Sequence, residues 1–245
     1  MQSEYTIGIL GGMGSYATLH FFSRILDAFP AEKEWERPRV IIDNRCTMPS
    51  RVRAYLYGER KQELVAMMAD SVMHLCDAGA DIIILACNTS HLFLEEVKAC
   101  IRQADRERIV NMIELCAYNL SCKEPKGKEF YCLATEGTME SGIYQKNFER
   151  FGMQVVCPRE QEYHRIRELI EAVKQNCVSE AVTGKFLSML RECGYTDIIL
   201  GCTELPVLYQ HVRKEAKEGG VKVYDPLEEV IGMLKEKKKF YCIKE

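Results

Sequence analysis

Short apolar runs alternate along this chain with segments of helical periodicity. The clearest run is Ile82-Ile-Ile-Leu-Ala86, continuous and rich in β-branched residues. That pattern predicts a strand buried on both faces, as in parallel sheets. The run stops at Cys87, and Asn88, Thr89 and Ser90 are all good helix N-caps before the periodic Leu92-Phe-Leu-Glu-Glu-Val97. Cys87 is therefore expected where a strand ends and a helix begins. Further strands are predicted over Tyr5–Leu10, Pro38–Asn44, Arg108–Met112, Glu129–Ala134, Gln154–Cys157 and Val221–Asp225. Helices are predicted over Ala17–Phe29, Leu64–Ala78 with Gly79 as its stop, from about Glu114, and over Ile143–Phe151, Tyr163–Asn176, Val182–Cys193 and Leu227–Lys239. Strand and helix alternate throughout, so the fold class is α/β with parallel sheets.

The Cys87 pattern recurs. Asp197-Ile-Ile-Leu-Gly-Cys202-Thr-Glu-Leu-Pro206 again opens on an aspartate, runs through apolar residues and ends on a small residue, a cysteine and a hydroxyl cap, Thr203. The end of the first strand of each half lies at a similar distance from its cysteine, 76 residues from Gly11 to Cys87 and 67 from Thr135 to Cys202. Between the halves, Ser121–Lys128 turns polar and contains Pro125 and Gly127. The pattern reads as a duplication into two lobes, each presenting one thiol. Ligands of open α/β sheets bind at the carboxyl edge, where both cysteines fall.

Composition narrows the class. At 245 residues with 47 % hydrophobic residues, the chain can bury a full core in one large domain or two lobes. A formal charge of −3 gives no reason to expect a nucleic-acid partner. Twelve cysteines is a high count, but their spacing is not that of a small secreted framework. Met1-Gln-Ser-Glu-Tyr5 lacks the basic and apolar regions of a signal peptide, and no apolar run approaches the ~20 residues that span a bilayer. Reduced thiols in a cytoplasm are the expectation. Cys242-Ile-Lys-Glu245 is charged where a prenylation motif is not, and Lys235-Glu-Lys-Lys-Lys239 reads as a solvated helix end complementing the dipole.

With so many cysteines, one alone says little. Cys76, Cys100, Cys116, Cys177 and Cys193 fall at helical positions and read as small core hydrophobes, and Cys46 as core or rim packing. Cys87 and Cys202 differ, because they are matched across the repeat. No C-x-x-C or H-E-x-x-H occurs; Cys87 and His91 would need two further ligands to hold zinc, so no metal is expected, and His91 reads as a cap or a support to the thiol. Gly12-Met-Gly14-Ser-Tyr-Ala17 fits the dinucleotide-binding turn, but the nearest acid, Asp43, lies nearer 30 than 20 residues on. The same turn also suits a small carboxylate at a helix N-terminus.

Five blocks in order resemble the aspartate/glutamate racemase superfamily, whose members work without pyridoxal phosphate. They are Gly11-Gly-Met-Gly14, Pro49-Ser-Arg51, Cys87-Asn-Thr-Ser-His91, Thr138-Met-Glu-Ser-Gly-Ile-Tyr-Gln145 and Gly201-Cys-Thr-Glu-Leu-Pro206. Glutamate racemases typically carry Asp-Ser-Gly in the first turn and a histidine after the second Cys-Thr. This chain has Gly11-Gly12-Met13 and Glu204, which is similar to the aspartate branch. The resemblance implies two flavodoxin-like lobes with the active site between them: residues 1–115, completed by a final segment 208–245 that returns to the first lobe with its late strand, and residues 116–207. It also implies a cofactor-independent homodimer.

Racemisation removes the Cα proton from one face and replaces it from the other. Two thiols on opposite sides of a planar carbanion do this directly, and a helix N-terminus can draw a thiol's pKa from about 8.5 towards neutrality. The resemblance implies Cys87 and Cys202 as the catalytic pair. Met13, Asn88, Thr89, Ser90, Thr138, Thr203 and Glu204 are the implied substrate contacts. Arg51, on the polar loop expected after the second strand, and more weakly Lys174, are expected to pair with a distal carboxylate. Aspartate is the expected substrate, with glutamate or a broader range as alternatives. Other relatives isomerise maleate, racemise hydantoins or decarboxylate malonates, the last with one thiol. A non-catalytic amino-acid sensor and a nucleotide-binding oxidoreductase are readings from other classes.

Overall fold

The structure is a computed structural model and describes residues 5–236. β1 (Ile7–Gly11) leads through the glycine turn into α1 (Ser15–Ala28), and β2 (Val40–Asn44) follows. α2 (Arg51–Tyr57), α3 (Lys61–Asp77), β3 (Ile82–Leu85), α4 (Leu94–Cys100), β4 (Ile109–Val110) and α5 (Met112–Ser121) complete the first half. The second half runs β5 (Glu129–Ala134), α6 (Glu136–Glu140), α7 (Ile143–Glu149), β6 (Gln154–Val156), α8 (Tyr163–Lys174), α9 (Glu180–Glu192), β7 (Asp197–Gly201), α10 (Leu205–Glu218), β8 (Lys222–Tyr224) and α11 (Pro226–Glu236).

The strands form two four-stranded parallel sheets, ordered β2-β1-β3-β4 and β6-β5-β7-β8. These are the same order, so β3 in one sheet corresponds to β7 in the other. The duplication read from the cysteine turns is thus a duplication of topology. Both orders reverse direction between their second and third strands, the switch point at which open sheets bind ligands.

Alternation along β3 divides its side chains between two apolar layers. Ile83 and Leu85 pack with α3 and α4 residues such as Leu64, Met68, Val72 and Val97. Ile84 and Ala86 face the other way, joining Ile7, Ile9, Phe21 and Ile25 to a layer that continues through α5 into the second sheet. Burial of apolar surface at roughly 25 cal/mol per Å² thus holds the halves together as well as each sheet.

Three expectations need correction. The late strand does not rejoin the first sheet: β8 pairs with β7 in register Ile198↔Val223. A parallel strand that follows β7 through one helix returns beside it by the usual right-handed crossover. It is α11 that reaches back, packing on α1 and α5, with Glu228 Oε1 accepting from Arg24 Nε at 2.6 Å. Arg51 lies in a helix, since Ser50 caps α2 by accepting from the Arg53 amide at 3.3 Å. Cys100 and Cys177 are exposed, as is Cys46, while Cys76 and Cys116 are buried as expected. The predicted last helix is seen to Glu236; residues 237–239 of its lysine run, and Cys242, lie outside the described residues.

Candidate active site between two cysteine turns

Cys87 and Cys202 each follow the third strand of their sheet, at its carboxyl end. The two turns touch: Thr203 Oγ1 donates to the Ala86 carbonyl at 3.2 Å, one residue from each cysteine. Both cysteines are nearly buried, 6 % and 5 % exposed.

The Cys87 turn is built from neutral groups. Asn88, Thr89 and Ser90 do not cap a helix through their side chains, because the chain first makes a 3-10 turn over Thr89–Phe93. Their polar groups are used elsewhere. Asn88 Oδ1 accepts from the Tyr144 hydroxyl at 2.6 Å, and Asn88 Nδ2 is buried without a partner. Thr89 Oγ1 lies 2.8 Å from Thr135 Oγ1 and 3.0 Å from Thr138 Oγ1, a cluster that joins the first half to the turn after β5. Ser90 Oγ is turned inward and donates to the Cys87 carbonyl at 2.6 Å, so its hydroxyl hydrogen holds the turn.

His91 has the same task. Its Nδ1 lies 2.9 Å from the Cys87 carbonyl, and its Nε2 accepts from the Met112 amide at 3.3 Å. Only the neutral imidazole protonated at Nδ1 satisfies both contacts. Burial agrees, lowering its pKa to about 4. His91 is therefore a clamp on the backbone beside the thiol, as the sequence suggested.

The Cys202 turn is charged. Cys202 Sγ donates to Glu204 Oε2 at 2.9 Å, and Glu204 is itself only 2 % exposed. Burial, then the negative charge of Glu204, push the Cys202 thiol well above its ordinary value, with Lys174 opposing. The expected lowering towards neutrality by a helix start is thus outweighed at this cysteine by desolvation and a neighbouring carboxylate. Lys174, at the end of α8, pairs with Glu171 Oε1 at 2.8 Å. Burial works against its charge, but Glu171 and Glu204 together raise its pKa.

The glycine turn after β1 meets this group from the other side. Gly12 has φ +79°, and an added Cβ would lie 2.6 Å from the backbone of Arg45 and Cys46. A Cβ on Gly14 would lie 2.9 Å from Glu204 Oε1 and 3.5 Å from Lys174 Cγ. A carboxylate thus stands at the N-terminus of α1, where a dinucleotide's pyrophosphate would have to sit; like charges there exclude the oxidoreductase reading of this turn. Arg51 ties the turn to α2, with Nη2 donating to the Met13 carbonyl at 2.8 Å and Nη1 to the Pro49 carbonyl at 3.1 Å. Met13 is buried and Thr138 lies in the threonine cluster, so the expected site residues converge on one region.

A cavity of about 320 Å³ opens beside it, lined by Ser50 and Arg53 of the α2 segment, Thr135 and Glu136 after β5, and Arg167 and Lys174 of α8. A wider cavity of about 810 Å³ lies away from the cysteines, among α1, α10, β8 and α11. Two participants escaped the sequence reading. Thr135 directly follows β5 and caps α6, at a place the repeat had marked, and Tyr144 sits inside the block Thr138–Gln145. Among the described residues, no group of three or more His, Cys, Asp or Glu side chains is arranged to hold a metal ion, and no helix is long and apolar enough to cross a membrane.

Known proteins share this architecture. The solved aspartate racemase of Picrophilus torridus superposes with a TM-score of 0.79 at 25 % identity, covering 95 % of this chain and 94 % of that one. The broad specificity amino-acid racemase RacX of Bacillus subtilis (strain 168) is 27 % identical over 218 residues, 85 % of this chain and 89 % of the relative. The glutamate racemase of Carboxydothermus hydrogenoformans is 29 % identical over 193 residues, 74 % of this chain and 67 % of the relative. Residues 10–234 match the family described as Asp/Glu/Hydantoin racemase, and with nearly its whole length inside that match the chain belongs to this family.

Proposed function

We propose that the protein is a cofactor-independent racemase of an acidic amino acid, aspartate first and glutamate second, using Cys87 and Cys202 as a two-base pair. The observation that carries this reading is the Thr203–Ala86 hydrogen bond, which sets two topologically equivalent cysteine turns against each other. A substrate held between them offers its Cα to one sulfur on each face. The thiolate of one cysteine takes the Cα proton, and the thiol of the other delivers a proton to the opposite face. One thiolate and one thiol remain, with their identities exchanged, so the reverse reaction starts from the product without a separate reset.

The carbanion is an enolate-like dianion at the α-carboxylate and needs donors there. Asn88 Nδ2 and the Thr89–Thr135–Thr138 hydroxyls supply them in this reading, while the Thr203 hydroxyl stays on the Ala86 carbonyl. Arg51 and Lys174 flank the approach from α2 and α8 and meet the distal carboxylate. The relatives named for aspartate, glutamate and broad specificity differ in what they accept, so residue-level charge is the argument for aspartate. The working unit in this reading is a homodimer, tested by sedimentation equilibrium.

The deciding experiment is NMR of Cα–H exchange in deuterated solvent over a panel of L- and D-amino acids. Rapid exchange with both enantiomers of aspartate is expected, unchanged after dialysis against a chelator. Absence of exchange with every amino acid would overturn the enzyme in favour of a binding protein of the same fold.

A further inference from the structure

Two buried polar atoms without a partner lie in the cysteine turns, Asn88 Nδ2 and Glu204 Oε1. A buried donor or acceptor left unpaired is costly, and in a folded protein it marks a place that something else completes. Asn88 Nδ2 is a donor and suits a carboxylate. Glu204 Oε1 is the opposite kind of atom, one oxygen of a carboxylate whose other oxygen already accepts from Cys202 Sγ at 2.9 Å and lies 3.5 Å from Thr203 Oγ1.

Its surroundings narrow what can bind. Oε1 faces the space left open by Gly14, where an added Cβ would fall 2.9 Å away. Any side chain at position 14 would fill that space. Lys174 is near enough to feel the charge of Glu204, yet its ammonium is bonded to Glu171 at 2.8 Å. Glu204 Oε1 is therefore an acceptor, negatively charged, desolvated and adjacent to a thiol. A primary ammonium group answers all of these: it carries a full positive charge and three donors, and charge-assisted hydrogen bonds are about twice as strong as neutral ones.

We propose that Glu204 Oε1 receives the α-ammonium group of the substrate, and that this contact makes the site select free α-amino acids over hydantoins and other compounds whose nitrogen is acylated or absent. The assignment rests on the amino-acid racemase reading and names the residue that sets its substrate class. A hydantoin ring offers only neutral amide N–H groups at that position and leaves the buried carboxylate uncompensated. The contact also acts on the reaction. A cation on Oε1 offsets the negative charge that holds the proton on Cys202, so binding the correct substrate makes that thiol a better acid.

Titration calorimetry with three ligands tests the proposal: aspartate, succinate, which keeps both carboxylates and has no nitrogen, and hydantoin-5-acetate, which closes the nitrogen and the α-carboxyl together into a neutral ring. Each is measured with wild type, Glu204→Gln and Glu204→Asp, with folding checked by circular dichroism. Wild type is expected to bind aspartate about 10- to 100-fold more tightly than either analogue, the scale of one charged hydrogen bond. Glu204→Gln should lose that preference while binding succinate within about twofold of wild type, and Glu204→Asp should retain a preference for aspartate. Wild type that binds succinate as tightly as aspartate, or binds neither, overturns the assignment; so does a Glu204→Gln variant that keeps the preference or loses both ligands equally. Cα exchange measured on the same wild-type samples separates the two levels. Exchange with the preference intact in Glu204→Gln removes the ammonium assignment and leaves the racemase. No exchange, with the preference lost in Glu204→Gln, removes the racemase and leaves the ammonium site.

Discussion

The two cysteine turns share a position in the fold and differ in electrostatics. The Cys87 turn is followed by Asn, Thr, Ser and His, all buried and neutral, clamped by His91 and Ser90 on the Cys87 carbonyl. The Cys202 turn is followed by Thr203 and Glu204, and the carboxylate accepts the thiol's hydrogen. Duplication sets the two cysteines at equivalent strand ends, in turns that touch. The residues after each cysteine then set the charge around it. Burial and Glu204 push the Cys202 thiol well above its ordinary value. A racemase must run in both directions, but its two bases need not be equivalent at rest, and the asymmetry here is local.

The largest effect should come from removing either sulfur. Cys87→Ser and Cys202→Ser are each expected to lower racemisation by about 10²- to 10⁴-fold, the range of a lost acid–base group, with the circular dichroism spectrum unchanged. Polarimetry from both enantiomers of aspartate provides the check. Full activity in either variant would mean that the turns are alike in fold only.

Next is Arg51, on the Cys87 side. Arg51→Ala should cost about 2–5 kcal/mol in kcat/KM for aspartate, the scale of breaking a buried charged pair. The loss should be much smaller for a neutral amino acid. Since Arg51 also holds the Met13 and Pro49 carbonyls, equal losses would assign it to the loop instead of the substrate.

His91 sharpens the comparison through pH. Folding lowers its pKa from an ordinary 6.5 to about 4, so the unfolded chain takes up this proton first as pH falls. The stability it contributes is full above pH 6.5 and is lost as pH drops towards 4. His91→Gln has no such proton. The difference in unfolding free energy between wild type and variant should therefore shift against wild type by about 3 kcal/mol between pH 7 and pH 4, as read by urea titration. A difference that stays constant would show the imidazole to be accessible to solvent.

The smallest effect concerns the stitch between the turns. Thr203→Val removes one neutral hydrogen bond to the Ala86 carbonyl, worth about 1 kcal/mol of stability. Activity should fall more than stability, because the separation of the two sulfurs depends on that contact. Equal changes in both would place Thr203 among ordinary packing residues.

Much of the fold was legible in local pattern. β5 was read with both its ends, and β1, β2, β3 and β7 to within about two residues, because buried parallel strands carry continuous apolar runs. α2 was missed, although Ser50 before it and Gly58 after it, at φ +69°, are ordinary start and stop signals. Its short mixed sequence, Arg-Val-Arg-Ala-Tyr-Leu-Tyr, has too few turns for periodicity to emerge. α6, only five residues long, was missed for the same reason.

Spacing and residue order along the chain therefore dictate the α/β alternation, the repeat and the two strand-end cysteines, since each depends on neighbours within a few residues. Folding decided the rest. That β8 joins the second sheet while α11 returns to α1 is a matter of which edge is open and which apolar face is uncovered. That Ser90 turns inward while Asn88 keeps a free donor follows from a 3-10 turn where a helix start was expected. That Glu204 stands beside Gly14, 190 positions away in sequence, is invisible in either motif alone. Charge and hydrogen-bond satisfaction depend on distances of about 3 Å between distant segments, and only the packed chain sets those.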